Sequence, residues 1–306
     1  MYPLASLPAN GLIPLTTCLS GGVDSTALTL LAETFARQTG RQHAAIIIDH
    51  GIRPAAAQEA ARTVQRMRQC GIDVTVRRVT ATVPSSGIQA WARAQRYAIA
   101  TADARQQGAV LLLGQHAGDQ AETVWMRLHR GSGLAGLAGM RTLAWRDGVA
   151  VLRPLLGFQR QELEQICQHA GVAWETDPSN ADPQFERVRV RTALAGMPAM
   201  AAHLQRLAAA AGMIDDYLLQ AVADAGSLVQ LLSDGSAVVD GALPDVPAVV
   251  ARRLLSQVIR QGGGRPHPPG RNALDRLLRR MHMRQTTTLG GCHLQLVAHG
   301  QMARNW

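Results

Sequence analysis

Through the first two-thirds of the chain, short runs of uninterrupted apolar residues alternate with longer segments whose apolar positions recur every three or four residues. The runs predict strands at Leu15–Leu19, Ala44–Asp49, Asp73–Val79, Ala109–Gly114 and Val149–Leu152. The periodic segments predict helices over Ser25–Arg37, Ala56–Cys70, Ile88–Gln107, Gln120–Arg130 and Arg160–His169. Runs such as AAIIID and AVLLLG lack the polar alternation of a sheet with one wet face, so helices are expected to cover both faces. Strand, helix, strand repetition of this kind predicts a doubly wound α/β domain with a parallel sheet. Ligands of such domains bind outside the carboxyl ends of the strands.

After about Pro198 the pattern changes. Ala199–Ala225 is rich in Ala and Leu and reads as one long connecting helix. Residues 201–245 hold one Arg and six acids, whereas residues 246–306 hold ten Arg and a single acid, Asp275. The expected organisation is therefore an α/β domain over 1–198, an acidic helical connector over 199–245 and a small basic domain over 246–306. A turn-rich loop, QGGGRPHPPG at 261–270, is expected inside the last of these.

Composition narrows the chemistry. All 31 basic residues are arginine, against 22 acids, which gives a formal charge of +9. Without lysine there is no Schiff-base or lysine-adenylate chemistry, and the GxxxxGK(S/T) phosphate loop is excluded because its lysine reaches the phosphates. Arginine still suits phosphate recognition, since its planar fork matches phosphate oxygens. A hydrophobic share of 47% suffices for a real core, yet no run approaches the ~20 apolar residues of a membrane span. Met1–Leu15 carries no basic residue ahead of its apolar stretch, unlike a secretory signal. Cys18, Cys70, Cys167 and Cys292 are far apart and read as buried thiols, not as a zinc or disulfide framework. A soluble cytoplasmic protein is expected, with neither membrane nor DNA as partner.

Four blocks carry candidate chemistry. Ser20-Gly21-Gly22-Val23-Asp24-Ser25 follows the first strand and opens a helix. The glycines let backbone approach an anion, the helix start offers free N–H groups, and the serines add hydroxyls. Asp24 is out of place beside phosphates unless a divalent cation lies between, so Mg²⁺ is expected there. His50-Gly51-Ile52-Arg53 ends the second strand, either as a plain turn with a solvated Arg or as a nucleotide or RNA contact. His116-Ala117-Gly118-Asp119-Gln120-Ala121-Glu122 leads into a helix, where Asp119 and Glu122 fit a capping box as well as a binding site. Arg127 and Arg130 follow two and three turns on and are expected to share the face of Asp119, ahead of the glycine-rich stretch to Met140. Lastly, Asp177-Pro178-Ser179-Asn180 is a turn signal that precedes Arg187, Arg189 and Arg191. On an extended segment these three arginines would point one way, as a contact surface or as a solvated stripe.

Taken together, SGGVDS, HGIR, HAGDQAETVWMRLHRGSGLAGLAGM, and DPSN followed by FERVRVR resemble the tRNA(Ile)-lysidine synthase family of the PP-loop ATP-pyrophosphatases. Ala92-Arg93-Ala94-Gln95-Arg96-Tyr97 also matches the family's AR-x-x-RY element. The resemblance is specific from about Leu15 to Arg191. It departs at Gly118, where the family pattern has an acid, at Val188 in place of Asn, and at Gln89 in place of Glu. It implies ATP and Mg²⁺ as cofactors, and isoleucine tRNA with a CAU anticodon and free L-lysine as substrates. It further implies an ATP loop at Ser20–Ser25, chemistry at Asp24, Arg93, Asp119 and Arg191, and nucleotide or tRNA contacts at His50, Arg53, His116, Glu122, Arg127, Arg130 and Arg187. The basic last domain would bind tRNA. A base-thiolating relative, an amidating synthetase for a small acid and an inactive tRNA-binding protein of the same fold are the competing expectations.

Overall fold

The computed structural model describes residues 12–52, 54–176, 182–264 and 267–298. Arg53 and the Asp177–Asn180 turn therefore lie outside the described residues.

Each of the five predicted runs is a strand of one six-stranded sheet, which β5 completes: β1 (Leu15–Cys18), β2 (His43–Asp49), β3 (Asp73–Arg78), β4 (Val110–Leu112), β5 (Leu143–Arg146) and β6 (Val149–Leu152). Their order is β3-β2-β1-β4-β6-β5, and all neighbours are parallel except β5, which runs antiparallel on the edge. The intervening helices are α1 (Val23–Thr39), α2 (Ala56–Gln69), α3 (Ile88–Gln106), α4 (Ala117–His129), the short α5 (Leu134–Leu137), α6 (Arg160–His169), α7 (Glu186–Ala195) and α8 (Pro198–Asp224).

Both faces of the sheet are covered, which is why its central strands need no polar alternation. Val110, Leu112 and Leu152 pack with Ala27 and Leu28 of α1 and Leu163 of α6. Leu111, Val149 and Val151 face Tyr97, Ala100 and Ala104 of α3 on the other side. Winding runs outward from β1 to β3 and then returns to β4 on the opposite side of β1. The order reverses between β1 and β4, and the crevice where sheets of this kind bind ligands lies beyond their carboxyl ends.

Two expectations are corrected. The segment carrying Arg187, Arg189 and Arg191 is a helix, α7, not an extended stripe. The signal for a strand was a three-residue alternation, which is too short to outweigh the helical context supplied by α4, whose Ala121 and Val124 pack with Leu194. Strand β5 was also missed. It pairs only along β6, leaving Leu143 and Trp145 exposed, so it lacks the apolar run that marks a central strand.

The chain divides into two compact units at Gly212/Met213, within α8. In the second unit β7 (Val229–Leu231), β8 (Ala237–Asp240), β9 (Thr287–Leu289) and β10 (Cys292–Val297) form a sheet in the order β7-β8-β10-β9. Helices α9 (Ala248–Gly262) and α10 (Arg271–His282) share its core through Leu254, Leu255, Leu274, Leu278 and Met281. The reading of 199–245 as helical thus holds only to Asp224, and the expected loop at 261–270 loses its first two residues to α9. Helix α10 buries four apolar side chains and leaves Arg271, Arg276, Arg279 and Arg280 exposed.

Candidate active site

The SGGVDS segment leaves β1 and enters α1 at the reversal point of the sheet. Gly21 has φ +84°, and a Cβ there would lie 2.7 Å from Thr63 Oγ1, so both conformation and space call for glycine. Gly22 is the extended residue ahead of α1, and no side chain caps the helix. The first-turn N–H groups therefore face the crevice without a protein partner of the usual capping kind. Ser25 Oγ accepts from the Ser20 N–H and donates to the Gly22 carbonyl, both at 3.0 Å, which closes the loop on itself. Beneath it, a Cβ on Gly114 would come within 3.2 Å of the Asp24 carbonyl and Ser25 Cα, so the end of β4 supports the loop from below.

Asp24 stands in the first turn of α1 with Oδ1 buried and without a hydrogen-bond partner. Burial pushes its carboxyl above the ordinary value, against the opposing pull of His116. A buried carboxylate oxygen left unpaired is costly, so its position points to a cationic or protic partner brought by a ligand.

Across the crevice, the start of α4 uses His116 and Asp119 as a reciprocal cap: the His116 N–H donates to Asp119 Oδ2 at 3.1 Å and the Gly118 N–H donates to His116 Nδ1 at 3.0 Å. The capping reading of Asp119 is therefore correct for one carboxylate oxygen. The other, Oδ1, accepts from Arg187 Nη2 at 3.0 Å. Glu122, one turn on, is buried with both oxygens engaged, by Arg187 Nε and Arg191 Nε at 2.6 Å each. Because α7 is helical, Arg187 and Arg191 are four residues apart on one face and both reach α4, whereas Arg189 donates to the Pro183 and Gln184 carbonyls. Glu122 in turn raises the Arg191 guanidinium above its usual value.

The expected common face of Asp119, Arg127 and Arg130 is only partly present. Arg130 pairs with Glu186 on α7, but Arg127 turns to the glycine-rich stretch and donates to the Gly136 and Gly139 carbonyls at 2.8 and 2.7 Å. Gln120, which sequence reasoning passed over, completes that clamp by pairing with both the N–H and the carbonyl of Met140.

Arg93 lies on α3 beside Tyr97, 5.1 Å from its ring, with no carboxylate partner among the described residues. Burial lowers its guanidinium below the ordinary value. His50 ends β2 with both ring nitrogens buried and unpartnered, 6.1 Å from the Trp91 ring. Burial, and then Arg96, lower the imidazole, which keeps it neutral.

A further group was not foreseen. Glu175 donates its N–H to the Gly21 carbonyl at 2.8 Å, while its carboxylate accepts from Arg62 at 3.1 and 2.7 Å and from Arg66 at 2.6 Å. Hydrogen bonds from Arg62, with help from Arg66, bring this carboxyl from the ordinary 4.5 down to about 2. The depressed value means a stabilising contribution that is fully present above about pH 5 and fades as pH falls through 4.5 towards 2. Glu175→Gln should therefore be less stable than the parent at pH 7, with the gap closing as pH drops below 5. Urea unfolding midpoints at pH 7, 5 and 4 check this, and a gap independent of pH would contradict it.

A phosphate-ready helix start at the reversal point of a doubly wound sheet, with an acid in its first turn and no lysine, defines a nucleotide site of the PP-loop kind. The PP-loop domain family matches residues 11–197, and the chain belongs to it; proteins of this family use ATP. Within it, the chain belongs to the tRNA(Ile)-lysidine synthase family, a family of ATP-dependent ligases. It is 36% identical to the tRNA(Ile)-lysidine synthase of Ruegeria pomeroyi, over 91% of this chain and 68% of that protein. It is 34% identical to that of Hyphomonas neptunium, over 95% and 81%, and 41% identical to that of Rhodopseudomonas palustris, over 78% and 68%. Among solved structures, the U34-tRNA thiolase of Methanococcus maripaludis has a similar fold, with a TM-score of 0.56 and 18% identity over 67% of this chain and 74% of that one. Among the described residues, no helix is long and apolar enough to cross a membrane.

Proposed function

We propose that the protein uses ATP to adenylate the wobble cytidine of isoleucine tRNA with a CAU anticodon, and joins free L-lysine to it to form lysidine. In the first step cytidine O2 bonds to the α-phosphorus and pyrophosphate leaves. In the second the lysine side-chain amine bonds to C2, loses a proton, and AMP departs with O2. The observation that carries this reading is the facing pair of groups at the crevice: the uncapped start of α1 with its unpartnered Asp24 oxygen, and the Asp119–Arg187–Arg191 cluster opposite.

Ser20, Gly21, Gly22, Val23 and Ser25 would hold the ATP phosphates through backbone N–H groups and hydroxyls. Among the described residues no three His, Cys, Asp or Glu side chains gather as a metal cluster. The orphaned Asp24 Oδ1 does fit a Mg²⁺ ion shared with the phosphates, and that ion would supply charge neutralisation for the leaving pyrophosphate. Asp119 would orient the lysine amine and take its proton, since only the neutral amine is nucleophilic. Arg93 and Arg191 would contact the adenylate or substrate. His50 and Trp91, and Arg53, would contact the nucleotide or tRNA. Glu122 acts instead as a positioning residue, because it is 4% exposed against 15% for Asp119 and its oxygens hold Arg187 and Arg191. Arg127 and Arg130 likewise shape the glycine-rich stretch and α7, where the tRNA would meet them.

The exposed arginines of α10 offer a surface suited to the tRNA backbone, by a charge-driven and salt-sensitive mode. The work is assigned to the cytoplasm, where the tRNA is. Sulfur transfer is disfavoured by the thiols: burial pushes Cys18 and Cys292 up, and Cys167 to about 11, so these three stay protonated and poorly nucleophilic at neutral pH.

Incubation with labelled lysine, ATP, Mg²⁺ and transcripts of the isoleucine and methionine CAU tRNAs tests the proposal. The expected result is label in the isoleucine transcript, with AMP and pyrophosphate released in equal amounts. A folded, ATP-binding protein that leaves that transcript unlabelled would overturn it.

A further inference from the structure

We propose that Glu175 is a positioning residue for the phosphate loop. Its N–H fixes the Gly21–Gly22 peptide so that the Gly22 N–H is turned to the nucleotide, and its carboxylate locks that backbone to α2 through Arg62 and Arg66. This rests on the ATP-binding reading of the loop and adds to it a brace that lies outside the loop itself.

The Gly21 carbonyl accepts from the Glu175 N–H at 2.8 Å and, more weakly, from Thr26 Oγ1 at 3.4 Å. The peptide bond that follows Gly21 is trans, as are the others among the described residues. A trans peptide directs its carbonyl and its N–H to opposite sides. Holding the Gly21 carbonyl towards residue 175 therefore turns the Gly22 N–H away from it, and that N–H has no protein acceptor among the described residues. Gly21 does not fix this orientation by itself. A glycine at φ +84° has few steric restraints, so the peptide plane is set by whatever its carbonyl meets.

The donor sits in an irregular segment beyond α6, where no helix or strand ladder holds it, and its own side chain ties it down. The carboxylate accepts from Arg62 Nε and Nη2 at 3.1 and 2.7 Å and from Arg66 Nη1 at 2.6 Å. Arg62 and Arg66 are one turn apart on α2 and share a face. Thr63 of the same helix stands against the loop, with Oγ1 2.7 Å from the place of a Cβ on Gly21. Helix α2 thus touches Gly21 directly and also holds the partner of its carbonyl. On the other flank, Trp174 packs against the core that contains Val23 and Ala27 of α1. Two guanidiniums more than balance the one carboxylate, so the brace brings no net negative charge towards the phosphates. With its carboxyl held down at about 2, foremost by Arg62, the brace stays ionised throughout the neutral range.

The test uses the full chain at a temperature where every variant is folded. Calorimetry reads the binding of a non-hydrolysable ATP analogue with Mg²⁺, and pyrophosphate release is followed with ATP, lysine and the isoleucine transcript varied in turn. Glu175→Ala should weaken analogue binding and raise KM for ATP roughly five- to tenfold, the order of one weakened hydrogen bond to a charged acceptor. KM for lysine and for the transcript, and kcat at saturating ATP, should stay within about twofold of the parent. Glu175→Gln, which keeps one acceptor oxygen, should fall between the two. Replacing Arg62 and Arg66 together by Ala should give the same loss, and adding Glu175→Ala to that pair should give no more. Hydrogen exchange of the amide at position 175 should quicken in each of these variants. Lower thermal stability with unaltered analogue affinity would reduce Glu175 to a structural ion pair and refute the proposal. Equal rises in all three KM values, or losses that add in the triple variant, would also refute it. A parent protein that does not bind the analogue would sink the reading of the loop together with this inference, whereas parent binding with unaffected Glu175 and arginine variants sinks this inference alone.

Discussion

Glu122→Ala is expected to lower the stability of the first unit by about 3 kcal/mol and to abolish activity together with it. The carboxylate is 4% exposed and accepts the Nε–H of both Arg187 and Arg191 at 2.6 Å. Removing it leaves two like-charged guanidiniums facing each other with their shared partner gone. Breaking a buried ion pair by deleting one partner typically costs about 3–5 kcal/mol. The lower end applies here, because the two arginines are 35% and 38% exposed and can turn partly to water. For a unit of this size the loss corresponds to a drop of on the order of 10 °C in Tm. Thermal unfolding followed by circular dichroism measures it. Glu122→Gln retains one acceptor oxygen and should fall between the two. A Glu122→Ala protein of parental stability would mean that α7 is held to α4 without this carboxylate, by the apolar contacts of Leu194, Ala121 and Val124 and by the Arg187–Asp119 and Arg130–Glu186 pairs.

Asp24→Asn is expected to do the opposite: to lower kcat/KM by roughly a hundredfold or more while leaving stability unchanged or higher. The substitution preserves shape and removes charge. In the parent, burial holds the Asp24 carboxyl above its ordinary value, which signifies that the charged form is disfavoured in the fold. A raised carboxylate value costs stability at pH values above it, and that cost vanishes below the unfolded value of about 3.8. Asn carries no such cost, so the urea midpoint at pH 7 should not fall. Under the proposed function activity should fall, because the orphaned oxygen would be the one to meet a cation on the phosphates. The measurement is pyrophosphate release over a Mg²⁺ titration, with the defect persisting at saturating Mg²⁺. Full activity in the variant would remove Asp24 from the chemistry. Opposite signs of stability and activity at Glu122 and Asp24 separate a carboxylate that builds the site from one held there for a ligand.

How far the sequence reaches is seen by comparing particular segments. The five predicted strands and the six predicted helices correspond to observed elements within a few residues at each end, because their signal is the period of burial itself. The SGGVDS turn between β1 and α1 was equally legible, though from the whole hexapeptide, since a glycine pair alone fits any strand-to-helix junction. The helix carrying Arg187 and Arg191 was not, since its residues alternate over a short span and its helicity depends on packing against α4. Short strands β7, β8 and β9 were invisible for a related reason. Each is three or four residues long, and pairing with β10 or its neighbours, not local pattern, makes it a strand.

By itself the sequence determined the class of domain, the place of the glycine turn between β1 and α1 and the exclusion of lysine chemistry, since each depends on residue type and on spacing along one segment. Which of these charged side chains are engaged in building the fold was decided only by tertiary structure. Asp119, Glu122, Arg127, Arg130, Arg187 and Arg191 look alike as charged residues in a row. They divide only when two helices distant in sequence face each other, so that Glu122 spends both oxygens on α7, Arg127 is drawn to carbonyls of the glycine-rich stretch, and Asp24 is left with an oxygen that nothing in the protein satisfies. Hydrogen bonds and ion pairs act over a few ångströms, so their partners are set by the folded chain rather than by the order of residues along it.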